Sequence, residues 1–228
     1  MKILTDHQYD DAWWAARRGM PTASAAKRIL TPGGKPSGSK DGGQSSYIDE
    51  LIGDQYDTGY PRTNDYQSPA MRNGSERESE AIAFYSFAKG IELHQVGLCC
   101  DESGRYGFSP DSLCGTPGEW EGVVEAKNPL PKTHIKYLRG GVLPDEYKPQ
   151  VHFTLVASGL EWVDFISYAT GLPELIVRVT PDKYTGDMRD QMEVFWDQYQ
   201  TALQLIRDMS PPTDFIQKQE DKAYAEIF

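Results

Sequence analysis

Two hydrophobic periods alternate along the chain. Residues 8–18 (QYDDAWWAARR) carry apolar side chains at helical spacing and stop at Gly19, with Arg17 and Arg18 near the carbonyl end. Pro21-Thr22 opens a second helix through Leu30, with Thr22 as its cap. Residues 31–45 are rich in Gly, Ser and Pro and predict a surface loop that carries Lys35 and Lys40. A short helix near Tyr47–Tyr56 and an irregular stretch over 57–68 lead to a long helix, Pro69–Lys89, whose apolar face is Ala81, Ile82, Phe84, Tyr85 and Ala88. The period then changes: IELHQVGL (91–98), RYGFSPDSL (105–113) and GVVEAKN (122–128) read as strands, the last two joined by a GTPG hairpin loop. Helices over 131–138 and 146–158 precede strands at 160–169 and 174–180, with Pro149 tolerated only in a first turn. An amphipathic helix fills 182–208 before Pro211-Pro212. The order predicts an α/β fold, a central mixed β-sheet flanked by helices, and one domain over 1–228.

Composition narrows the class. Thirteen Tyr, eight Phe and five Trp in 228 residues exclude a disordered chain, and no apolar run reaches the ~20 residues of a membrane span. The start, MKILTDHQYDD, lacks a secretory apolar core, and Cys99, Cys100 and Cys114 lack zinc-type spacing; both predict a cytoplasmic protein with free thiols. Thirty-four acids against 23 bases give a net charge of −11, which argues against a generic polyanion binder.

The chemistry concentrates in Ser109-Pro110-Asp111 and, after thirteen intervening residues, Glu125-Ala126-Lys127. Strand residues two apart share a face, so Glu125 and Lys127 project together and the hairpin brings Asp111 beside them. Converging carboxylates repel unless a cation lies between them, and Mg²⁺ suits one or two carboxylates with water and phosphate. Lys127 would then orient or deprotonate an attacking water. Glu76, Glu78 and Glu80 fan around the long helix, so one of them can reach the same point. Gln150 opens a later helix that can return there. His7, His94, His134 and His152 show no ligand spacing, although His152 lies near Gln150; Trp13 and Trp14 read as packing residues, and Cys114 is next to the site.

Asp with Glu-x-Lys on adjacent strands resembles the PD-(D/E)xK nuclease core. RRGMPTAS, NGSERE, SPDSL, VEAKNP, YLRGG and PQVH follow one another in the order of the phage-type alkaline exonucleases, the lambda exonuclease branch of viral recombination nucleases, over about residues 12–165. That resemblance implies a catalytic core over about 69–180, with helices 8–30 supplying a 5′-phosphate pocket. It implies Asp111, Glu125 and the Ala126 carbonyl as metal ligands, with Glu78 as a further acid acting directly or through water. Lys127 is the implied catalytic lysine, and Gln150 completes the site. Arg17, Ser24 and Ser109 are implied to receive the 5′-phosphate, Met71 to part the last base pair, and Lys35 or Lys40 to touch DNA. Two Mg²⁺ ions, with Mn²⁺ as a substitute, are the implied cofactors. The implied activity is 5′→3′ digestion of linear double-stranded DNA to mononucleotides and 3′ overhangs. The implied assembly is a homotrimer working beside a single-strand annealing protein. Two alternatives stand beside it: a structure-specific or restriction-type endonuclease on the same core, and a catalytically silent DNA-end-binding protein.

Overall fold

The structure is a computed structural model; it describes residues 1–38, 42–56 and 69–209, residues 69–77 by their backbone alone. Its elements are β1 (Lys2–Ile3), α1 (Asp11–Ala16), a 3-10 helix (Ala23–Arg28), α2 (Gln44–Gly53), α3 (Pro69–Lys89), β2 (Leu93–His94), β3 (Cys99–Cys100), β4 (Gly107–Phe108), β5 (Ser112–Thr116) and β6 (Glu119–Lys127). Then follow α4 (Pro131–Gly140), α5 (Lys148–Ser158), β7 (Trp162–Ser167), β8 (Leu175–Val179) and α6 (Lys183–Met209). A five-stranded sheet runs β2-β5-β6-β7-β8, parallel between β6 and β7 and antiparallel elsewhere. This is the expected mixed sheet flanked by helices.

Side-chain alternation assigns the two faces. Leu113, Val123, Val163 and Phe165 pack against Phe153 of α5 and Met188, Met192 and Phe195 of α6. Val124, Ala126, Trp162 and Ile166 pack against Ala81, Ile82 and Tyr85 of α3. Glu125 and Lys127, in step with Val123, therefore share the α5/α6 face. The sheet is tight on the other side: a Cβ on Gly122 would come within 2.3 Å of the Trp162 indole across the strand pair. On that face the carboxylate of Asp164, 1 % exposed, accepts from Tyr85 and from both Arg178 Nε and Nη2 at 2.8 Å.

Several elements differ from the sequence reading. The expected strand 105–113 is two strands in different sheets: β4 joins β1 and β3 in a small sheet, while β5 enters the main one. Pro110 separates them because it has no N–H to continue a ladder, and its carbonyl is taken by Gln8 Nε2 at 2.9 Å. The expected strand 91–98 likewise reduces to β2, with β3 starting at Cys99 in the small sheet. The GTPG loop shrinks to Pro117-Gly118, since β5 runs to Thr116 through a register shift at Gly115, whose φ of +118° suits glycine. The first helix starts at Asp11, where the Asp10 side chain caps the Trp13 N–H at 2.7 Å. The second is a 3-10 helix and Thr22 makes no side-chain cap; its hydroxyl turns to Arg17 instead. Pro149 does sit in the first turn of α5.

Candidate active site

The acids meet where β5 begins. Ser112 pairs with Val124, which carries Asp111 opposite Glu125 on the α5/α6 face. The β5–β6 ladder stops at Ser112 and the Pro110 carbonyl is taken by Gln8, so the Ala126 N–H has no strand acceptor there and donates to Asp111 Oδ2 at 2.6 Å, while Pro110, having no N–H, leaves the Ala126 carbonyl unclaimed on that edge. The N–H and C=O of one strand residue leave by the same edge, so the Ala126 carbonyl faces the same gap. Glu125, 4 % exposed, is held through one oxygen, Oε1, by the Lys127 ammonium and by Gln150 Nε2 from the first turn of α5.

Electrostatics show a site short of positive charge. Burial, then repulsion from Glu125, pushes the Asp111 carboxyl up to about 8, against the pull of Lys127. Burial also raises Glu78, with Lys127 opposing and Glu125 adding to the rise. Burial alone would drive Lys127 toward neutrality, but Glu125 and Asp111 outweigh it and hold the ammonium above its ordinary value. In this arrangement Lys127 is a fixed cation that can orient a water, and it is not poised to take a proton.

The donors fit a hard divalent cation. Among the described residues no cluster of three or more His, Cys, Asp or Glu side chains forms a ready cage. Mg²⁺ does not require one: it typically takes one or two carboxylates and leaves positions to water and phosphate. Asp111, Glu125 and the Ala126 carbonyl supply such an oxygen set, and a carboxyl held protonated near neutral pH by burial and by the Glu125 charge is one that added positive charge would ionise.

A second group of side chains shares this cleft, which has a volume of about 330 Å³ and is lined by Arg17, Ser24 and Ser109 together with Glu78, Asp111, Glu125, Lys127 and Gln150. The Arg17 guanidinium lies 4.3 Å from the Trp13 ring centre and donates to Thr22 Oγ1 at 3.3 Å and Ser24 Oγ at 3.5 Å. Among the described residues no carboxylate forms an ion pair with it. Trp13 Nε1 donates to Ser109 Oγ at 2.9 Å. A guanidinium faced by hydroxyls, with no acid to neutralise it, is suited to an oxyanion.

Of the remaining expected residues, Lys35 is exposed and does not line the cleft. Lys40 and the side chains of Met71 and Glu76 lie outside the described residues. Glu80 accepts from Thr170, away from the acids. His152 is buried with Nδ1 on Thr185 of α6, so it does not face the cleft. Cys114 packs on the α3 side of the sheet, opposite Asp111, where burial pushes its thiol up to about 12. Thr22 and Tyr9 also line the cleft and are not among the residues expected from the sequence. Thr22 was within reach, two residues before Ser24 in the same PTAS string, and it was read as a cap. Tyr9 was not, because its φ of +67° has no sequence signal.

A mixed sheet with Asp and Glu-x-Lys on adjacent strands, beside a guanidinium–hydroxyl pocket, defines the class: the fold is that of the lambda-exonuclease-like nucleases. The YqaJ-like viral recombinase domain family matches residues 12–161, and the chain belongs to that family. Among solved structures, the alkaline exonuclease LHK-Exo from Laribacter hongkongensis is 27 % identical, with a TM-score of 0.72 over 88 % of this chain and 97 % of that one. The same enzyme in complex with dAMP gives 27 % identity and a TM-score of 0.73 over the same shares, 88 % and 97 %. A phage-related exonuclease from Haemophilus somnus 129PT shares the fold at 15 % identity, with a TM-score of 0.57 over 84 % of this chain and 96 % of that one. A comparison with curated proteins finds no match. Among the described residues no helix is long and apolar enough to cross a membrane.

Proposed function

We propose that this protein is a Mg²⁺-dependent 5′→3′ exonuclease that degrades one strand of linear double-stranded DNA from its 5′-phosphorylated end. It releases mononucleotides and leaves 3′ single-stranded overhangs for phage-type recombination in a bacterial or phage-infected cytoplasm. The observation that carries the reading is a single cleft holding both a guanidinium–hydroxyl group of side chains and an Asp/Glu/Lys cluster. An enzyme that counts back one nucleotide from an end needs both at once: one group to grip the terminal phosphate, another to cut the next linkage.

In this reading Arg17, with Thr22, Ser24 and Ser109, binds the 5′-phosphate by charge-assisted hydrogen bonds. Asp111, Glu125 and the Ala126 carbonyl hold Mg²⁺, with Glu78 bound directly or through water. The bound metal supplies Lewis-acid polarisation of the scissile phosphate and charge stabilisation of the attacking and leaving oxygens. Lys127 places its ammonium beside the phosphate and orients the incoming water. Gln150 keeps Glu125 in position, and Asp111 is steadied by the Ala126 N–H. Two metals, Mn²⁺ as a substitute, a homotrimeric assembly encircling DNA and a single-strand annealing partner complete the proposal.

A time course on linear duplex labelled at one 5′ end, phosphorylated or not, tests it. Release of labelled mononucleotide, dependent on Mg²⁺ and faster from the phosphorylated end, is expected, with covalently closed circles left intact. Cutting of closed circles would favour an endonuclease. Binding of ends without release would favour a silent end-binding protein.

A further inference from the structure

We propose that the ring of Tyr9 is the stacking wall for the base of the 5′-terminal nucleotide, both before the cut and in the mononucleotide product. The proposal rests on the exonuclease reading and adds a nucleobase subsite to it. If the terminal phosphate sits at Arg17 and the scissile one at Asp111 and Glu125, a single nucleotide bridges them, and its base must lie against whatever flanks that span. Four aromatic rings line the cleft: Trp13 is 5 % exposed and Phe108 1 %, so neither has a face to give; Trp14 is half-buried, set edge-on to Trp13, and lines the neighbouring cavity beside Arg18, not the one beside the acids; Tyr9 is 48 % exposed and lines both the cleft and the cavity beside the acids. Its ring is backed by Trp13, with centres 5.0 Å apart and planes at 47°. The indole that supports Arg17 thus also supports Tyr9.

The other side of Tyr9 has room. A second cavity of about 180 Å³ is bounded by Tyr9, Gln8 and Gln95 and shares Glu78 and Asp111 with the main cleft. Tyr9 therefore divides the phosphate pocket from a space that opens beside the acids. Its backbone is unusual as well. A φ of +67° is left-handed, a region that glycine occupies freely and a bulky residue rarely does. Such a conformation persists only where its surroundings enforce it, and it is found preferentially at functional sites. Here it turns the chain immediately before the Asp10 cap of α1 and delivers the ring to the cleft. A π-face without donors or acceptors suits an enzyme that must accept each base in turn, because stacking tolerates any sequence.

Equilibrium binding of deoxyguanosine 5′-monophosphate and of 2-deoxyribose 5-phosphate, with Mg²⁺ present, separates the base from the phosphate. The wild type should prefer the nucleotide by about tenfold, the worth of one base–aromatic stack. Tyr9→Phe should keep that preference, Tyr9→Leu should lose it, and Arg17→Ala should weaken both ligands together. A ligand-side arm needs no variant: wild-type protein should bind a duplex with an abasic 5′-terminal nucleotide about tenfold less tightly than an intact one. Equal binding of the two small ligands by the wild type, binding of neither, an unaltered preference in Tyr9→Leu, or indifference to the abasic end would each overturn the proposal. Failure of the exonuclease reading would show separately, as no nucleotide release from duplex by a protein that still discriminates the two small ligands.

Discussion

Asp111→Asn should make the metal-free protein more stable while removing hydrolysis. An Asp in the unfolded chain loses its proton near 3.8, but burial and Glu125 hold the native Asp111 carboxyl protonated up to about 8. The native state therefore binds the extra proton through this interval. Stability is full below the lower value, falls as pH rises toward the upper one, and levels off above it. Carried over in full, the difference between 3.8 and about 8 would amount to roughly 5–6 kcal/mol. The cleft admits water, which screens these interactions, so we expect about 2 kcal/mol at pH 8.5. Asn keeps an oxygen for the Ala126 N–H and carries no charge at any pH. For a chain of 228 residues, about 2 kcal/mol corresponds to roughly 4–8 °C in Tm. Thermal melts in chelator from pH 5 to 9 should show the variant's advantage opening with pH and flattening above about 8. Mg²⁺ should close the gap, because it binds the ionised native Asp111 and stabilises the wild type by linkage. Equal melting at pH 5 and 8.5, or an Mg²⁺ increment of the same size in both proteins, would refute the reasoning.

Three further expectations concern other residues. Lys127→Ala and Glu125→Ala should each lower nucleotide release at least about 100-fold, the scale of losing a preorganised charge at a developing oxyanion, with far-ultraviolet circular dichroism unchanged. Arg17→Ala should bring the rates on phosphorylated and unphosphorylated 5′ ends together, and Arg17→Lys should restore little of the preference because an ammonium lacks the fork; end-labelled time courses read both. On the other face of the sheet, Arg178→Ala leaves the Asp164 carboxylate with the Tyr85 hydroxyl alone. Urea melts should show a loss of about 3 kcal/mol, the low end for breaking a buried pair because the Arg178 side chain is half exposed, with nucleotide release retained.

The parts of the site that were legible in the sequence are those governed by strand alternation. Glu125 and Lys127 lie on the face of Val123 because side chains alternate, whereas Asp111 comes opposite Glu125 only through the one-residue register shift at Gly115: the Pro117-Gly118 turn alone, which pairs Thr116 with Glu119, would set Asp111 opposite Val124 and on the other face. The long helix and its termination at Gly90, with φ +65°, followed from apolar spacing and a single glycine. What was not legible depends on where the chain bends. Pro110 looked like a residue inside a strand, and its effect is to end one sheet and free the Ala126 edge for Asp111. Thr22 has the composition of a cap, but its backbone N–H is taken by the Tyr47 hydroxyl at 2.9 Å, and its own hydroxyl is claimed by Arg17. The left-handed turn at Tyr9 is a tertiary outcome that local preference opposes.

The acidic balance is compatible with a DNA substrate because charge is distributed, not averaged. Next to the main cleft, a cavity of about 310 Å³ is lined by Arg17, Arg18, Lys27 and Arg28, with Glu50 and Asp54 on the same wall. Arg28 is committed to Glu50 and the Gly42 carbonyl. Arg17 has hydroxyls for partners, so its field is directed into the cleft where an end would enter. Walls of low dielectric focus such a field over a few ångströms, while a net charge of −11 acts at longer range and is screened within about 8 Å at physiological salt. A duplex lying flat on the surface would meet mainly the second, and an end inserted into the cleft mainly the first. Adding salt should therefore weaken the attraction of the pocket less than it weakens the repulsion of the exterior. On the exonuclease reading, end selection by this protein should survive moderate salt, unlike binding that rests on a broad cationic surface.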